Sequence, residues 1–235
     1  MSLGRLGVKR IDGVNAPNVI HELYAVPLNT LTAGTINICN QGTDDVLISV
    51  AIGKYGSGVT IADYLVYNSL VNGKETVELT GIVVSTDEIV YVASSAGNVN
   101  FAIWGMEETT QANVVGGRVA ALNIGSANTL YPGATTNNQP AILYKCESQI
   151  GGSFNLVICN RNQVPATAKV AYVDALATVV DNAIPQLNAE DWIEELNIPA
   201  NMYFERTGIV IKEGHSLVVE ANIENVNFVL TGVLE

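Results

Sequence analysis

The chain has 235 residues, 48% of them hydrophobic and only 14% charged, a composition well away from that of chains that stay disordered. Its formal net charge of −12 opposes long-range attraction to nucleic acid or an anionic membrane and excludes both as expected partners. Long charged side chains are scarce while Val, Ile, Thr, Asn and Gly are abundant, which predicts an all-β fold of short strands and turns.

Residues 1–10 lack the apolar stretch of a secretory leader, and no run of the chain is long and apolar enough for a membrane helix, so a soluble product made inside the cell is expected. The opening segment, 4–29, holds Val14-Asn15-Ala16-Pro17-Asn18 and reads as a long arm or loop. Period-two alternation then begins: Ile36 and Ile38 share a face, followed by Ile48, Val50 and Ile52. The run 77–84 is strand-like, with Gly81 at a bulge or a close backbone approach. Val90 and Val92, then Val99, Phe101 and Ile103, complete the pattern. Turn-forming groups separate these runs, and Asn72-Gly73 suits a type I′ hairpin.

After 111–116, expected to be a short linker, the chain repeats itself. Gly117-Arg118 matches Gly4-Arg5, and Asn155-Leu156-Val157-Ile158-Cys159-Asn160 matches Thr35-Ile36-Asn37-Ile38-Cys39-Asn40. Asp191-Trp192-Ile193 answers Asp63-Tyr64-Leu65, Glu205 to Ile211 answers Glu78 to Val84, and Val226-Asn227-Phe228 answers Val99-Asn100-Phe101. The spacing between matched residues drifts, so the copies differ by insertions in connections while the apolar runs stay intact. The second copy alternates at Leu156 and Ile158, at Ala168, Val170 and Tyr172, at Leu217 and Val219, and at Val226, Phe228 and Leu230. Its opening, 117–141, again reads as a loop. Two domains follow, 1–110 with an N-terminal arm and 117–235, each a β-sandwich of six to eight strands, Ig-like or jelly-roll-like.

Chemistry is thin. His21 and His215 are the two histidines, they are not equivalent in the repeat, and neither adjoins a nucleophile motif. Adjacent acids such as Asp44-Asp45 and Glu194-Glu195 point to opposite faces of a strand and cannot pair as acid and base. Asp63 and Asp191 recur before an aromatic residue, as turn caps to backbone amides or, alternatively, as a calcium site. Cys39, Cys146 and Cys159 read as small buried thiols rather than an interdomain disulfide. Phosphate-binding, dinucleotide and zinc motifs are missing, so no catalytic, cofactor-binding or metal residue is assigned and no enzyme is expected. Tyr55, Tyr64, Tyr67, Trp104, Tyr131, Trp192 and Tyr203 are aromatic anchors of the core or an interface, or alternatively a platform for a surface glycan.

The block Ala62-Asp63-Tyr64, Thr80 to Val84, Glu88 to Val92, Val99-Asn100-Phe101 and Trp104 to Glu108, with its second copy, resembles the β-rich domains of virion structural proteins of tailed bacteriophages, especially marine cyanophages. The resemblance implies a non-enzymatic particle component from the tail, neck or baseplate, or a capsid decoration, whose partners are other virion proteins and copies of itself. It implies assembly in the host cytoplasm and location in the virion. A glycan-binding module of a receptor-binding tail protein is the alternative. The insertion around 175–188 departs from the first copy and sets the two domains apart. A surface poor in Lys and Glu independently suits permanent assembly, because interfaces are depleted in both.

Overall fold

Alternation of apolar residues becomes sixteen strands in the computed structural model, which describes residues 2–12, 19–109, 115–126, 136–147, 151–174 and 187–234. The first eight are β1 (Ser2–Ile11), β2 (His21–Ala25), β3 (Thr30–Asn40), β4 (Val46–Lys54), β5 (Tyr64–Val71), β6 (Thr76–Ser85), β7 (Glu88–Ser94) and β8 (Val99–Thr109). The next eight are β9 (Val115–Asn123), β10 (Ala141–Lys145), β11 (Gly151–Asn160), β12 (Ala166–Val173), β13 (Trp192–Ile198), β14 (Tyr203–Lys212), β15 (Ser216–Ala221) and β16 (Val226–Leu234). They form four antiparallel sheets: β1-β8-β3-β6 and β2-β7-β4-β5 from the first copy, β9-β16-β11-β14 and β10-β15-β12-β13 from the second. Eight strands in two sheets, with the first strand beside the eighth and the fourth beside the fifth, is the jelly roll, and the chain contains it twice.

Each jelly roll closes over its own core. The positions expected to face inward do so: Ile36, Ile38, Ile48, Val50, Ile52, Val90, Val92, Val99, Phe101 and Ile103 are buried in the first. Leu156, Ile158, Ala168, Val170, Leu217, Val219, Val226, Phe228 and Leu230 are buried in the second, while Tyr172 is only partly covered. Each large apolar side chain removed from water contributes about 1.5–3 kcal/mol.

The openings of both copies correct the arm expected there. β1 pairs with β8 along its length and β9 with β16, so 2–11 and 115–123 are edge strands of the sheets. Gly116 and Val115, expected in the linker, belong to β9. The segments 13–18, 110–114, 127–135 and 175–186 lie outside the described residues, and with them the Val14 to Asn18 group, most of the linker, Tyr131 and most of the later insertion. Gly81 and Gly208 sit at bulges, with φ of 63° and 72°. The 72–73 turn is not type I′, which needs positive φ at both central residues. Among Asn72, Gly73 and Lys74 only Lys74 has positive φ, 66°, and the Glu75 N–H closes the turn onto the Asn72 carbonyl at 3.1 Å.

Candidate interaction surface

Successive strand residues face opposite sides of a sheet, so the residues between core positions on β9, β11 and β16 point away from the second core. They meet the first jelly roll. Val157 and Val229 are buried in the first core's cluster, with Ala121 and Tyr203 packed against it. The middle of the β9-β16-β11-β14 sheet is therefore covered on both faces, and Val226 to Gly232 of β16 are buried without alternation, while Val210 on the edge strand β14 stays 67% exposed. On the equivalent strand β8, Trp104 stands 47% exposed where its counterpart Thr231 is 1% exposed.

Polar groups at this junction are matched in detail. The Asn227 amide donates to the carbonyls of Ile61 at 2.8 Å and Tyr64 at 3.1 Å. Asn155 donates to the Gly81 carbonyl at 2.7 Å, and Thr231 reaches the same oxygen at 3.4 Å. A Cβ at residue 81 would lie 2.8 Å from the Asn155 amide nitrogen, so glycine allows this approach. Thr80 donates its N–H and hydroxyl to Glu205 at 3.2 and 2.9 Å. Arg161 lies over Tyr67 and Tyr64, 4.4 and 5.6 Å from the ring centres, a cation–π stack.

Arg118 is the charged centre of the contact. Its guanidinium pairs with Asp63 and donates to the Ile52 carbonyl at 2.7 Å, while its backbone N–H donates to Glu88 at 3.2 Å. Asp63 is held in place by its own turn, because its second oxygen caps the 3-10 helix Ile61–Asp63 by accepting the Thr60 N–H at 2.6 Å. Both side chains are interior, 12% and 6% exposed. Burial raises the Glu88 carboxyl above its ordinary value, against the lowering effect of the Ser85 and Arg118 N–H groups. Burial raises Glu205 also and pushes Tyr203 and the Cys159 thiol up to about 12.

The other expected residues fall into structural places. Asp63 and Asp191 are turn caps, Asp191 accepting the Asn188 N–H at 2.7 Å. Cys146 and Cys159 are buried, and Cys39 is half-buried. His215 lies 3.1 Å from Asp174, and His21 begins β2 with its Nε2 buried. The aromatics are dispersed: Tyr64 and Tyr67 make an edge contact at 5.0 Å, Trp192 packs with Ile142, Ala171 and Val218, and Tyr55 is exposed on a turn. Of the residues that make the junction, Arg118, Asn227 and Glu205 were visible in the sequence only as repeated letters, and Asn155, opposite Thr35 in the repeat, not even so. The usable signal was Asn227, a polar residue between the core positions Val226 and Phe228, whereas Arg118 shares the spacing of core Ala120 and Leu122 and turns outward only at the irregularity that follows it.

No family model matches the chain, and no curated protein matches it. Among solved structures it is similar to the STIV MCP, at 9% identity and a TM-score of 0.32, covering 96% of this chain and 94% of that one. It is similar to a chain of broad bean stain virus at 10% identity and a TM-score of 0.35, covering 100% and 90%. A fucolectin from striped bass (Morone saxatilis) serum follows at 11% identity and a TM-score of 0.26, covering 88% and 80%. With scores this low, the jelly-roll assignment rests on strand order and not on these likenesses.

Proposed function

We propose that the chain is a non-enzymatic structural subunit of a virion, a tail, neck, baseplate or decoration component of a tailed bacteriophage, which assembles through contacts with copies of itself and other virion proteins. The observation that carries the reading is the junction: the outer face of β9, β16 and β11 packs on the first jelly roll, and the matching face of the other jelly roll presents Leu3, Val8, Trp104 and Met106 to solvent. Such a face is suited to covering by protein. The sequence resemblance to phage structural domains supports the same reading. The glycan-binding alternative finds less support, because its candidate aromatics are dispersed between the junction, the second jelly roll and single exposed positions.

Quantitative peptide mass spectrometry on purified particles, with heads separated from tails, tests the proposal. Copies in fixed ratio to a major head or tail protein are expected. Absence from both fractions overturns the reading.

A further inference from the structure

The junction joins a donor face to an acceptor edge, and because the chain is a repeat it carries a second donor face and a second acceptor edge, which no such contact joins among the described residues. The donor face is the outer side of β9, β16 and β11, with Arg118 and Asn227. Its equivalent is the outer side of β1, β8 and β3, with Arg5 and Asn100. The match extends to register: Arg118 lies opposite Thr231 as Arg5 lies opposite Trp104, and Asn123 opposite Asn227 as Arg10 opposite Asn100. Each pair of strands carries its irregularity at the same place, immediately after that arginine.

The acceptor edge is repeated at its capped turn, although His215 stands where Glu88 receives the Arg118 N–H. In the first jelly roll one oxygen of Asp63 caps its turn through the Thr60 N–H, and the other takes Arg118. In the second, one oxygen of Asp191 caps its turn through the Asn188 N–H, and the other has no partner among the described residues. Beside it lies a cleft of about 440 Å³ lined by Tyr172, Asp174, Asp191, Arg206, Gly208 and Ile209. Tyr172 stands where Ile52 offers its carbonyl to Arg118, and Gly208 where Gly81 receives Asn155. Arg206, the cation already in the cleft, is paired with Glu194. The Thr80 to Glu205 contact also has its counterparts, Thr207 on the acceptor edge and Glu78 on the donor face.

We propose that the chain binds a second copy of itself head to tail, with Arg5 of one copy seated on Asp191 of the next in the manner of Arg118 on Asp63. Charge and surface character agree. Arg5 is exposed, lies 5.9 Å from the Trp104 ring centre, and is surrounded by exposed Leu3, Val8 and Met106. The acceptor edge offers Asp174, Glu190 and Asp191 beside exposed Ile193 and Val210. A contact between two different patches is heterologous, so each bound copy still offers one free face and one free edge, and association proceeds until a ring closes or a filament grows. This deepens the reading of a self-assembling subunit and rests on it only for its biological setting.

Sedimentation velocity on the full-length protein across a wide concentration range is the test. Wild type is expected to associate. Arg5→Asp and Asp191→Arg should each weaken association at least about thirty-fold, the effect of breaking a desolvated charge pair. The double variant, with the charges exchanged, should recover association at least in part. Arg5 is exposed, so thermal unfolding of Arg5→Asp should match wild type at a concentration where both are monomeric, which separates loss of contact from loss of fold. A wild type that stays monomeric, or single variants that associate as tightly as wild type, overturn the contact. A chain that associates through Arg5 but is absent from particles overturns the virion reading alone.

Discussion

A buried amide at the end of β3, and its twin at the end of β11, tie together connections that the strands alone leave loose. Asn40 is fully buried and donates to the carbonyls of Asp44, Val71 and Asn72 at 2.8–3.3 Å. Asn160 does the same for Val164, Ile198 and Pro199 at 2.8–3.0 Å. Leaving such buried acceptors without donors costs about 1–3 kcal/mol, so Asn160→Ala should lower the urea midpoint with an unchanged slope. An unchanged midpoint would show that water replaces the amide without loss. The repeated Ile-Cys-Asn was legible in the sequence, but this role was not, because two of the three carbonyls lie far along the chain, at the end of β5 or β13 and just beyond it. At the junction, Glu88 makes a second residue-scale prediction. Its folded pKa is raised by burial, so the folded state holds the extra proton, and the stability this group contributes is fully present below its ordinary value of 4.5 and lost as pH rises through the folded value. Acidification from neutral pH into that window should therefore stabilise wild type relative to Glu88→Gln. Parallel pH profiles of the two midpoints would refute it.

At the scale of elements, the strands with an apolar stripe were legible, the edge strands β6 and β14 among them, and the opening edge strands β1 and β9 were not. β1 carries Arg5, Lys9 and Arg10 with two glycines in its first seven residues, so its alternation is broken by charge and by the irregularity between Arg5 and Gly7. Charge on an edge strand discourages unwanted pairing, and the same charge hides the strand from a periodicity argument. Glycine at the two bulges was legible, and its consequences differ between copies. Gly81→Ala meets positive φ and the Asn155 amide together, whereas a Cβ at Gly208 meets positive φ and open space. Gly208→Ala should cost about 1–2 kcal/mol of strain, and Gly81→Ala more, read from thermal unfolding of the two variants side by side. Equal losses would mean that the Asn155 contact yields freely.

For the whole molecule, the question is whether two jelly rolls behave as one cooperative unit. Their separate cores were legible as a sequence repeat, and a trace of the face between them was there too, since Val157 and Val229 break alternation inside the apolar runs 156–159 and 228–230, although only the fold shows what covers them. What makes the junction specific is the interior pair Arg118 and Asp63. Removing one partner of a buried ion pair leaves an uncompensated charge and costs about 3–5 kcal/mol, while replacing both is far milder. Arg118→Met should therefore destabilise strongly, and Arg118→Met combined with Asp63→Asn should recover most of the loss, because asparagine keeps an acceptor for the Thr60 N–H. The weakened junction should also uncouple the halves, so that wild type is expected to unfold in urea in one transition and Arg118→Met in two. A variant with one transition and the wild-type midpoint would mean that the apolar face alone, Val157, Val229 and Ala121, holds the two jelly rolls together.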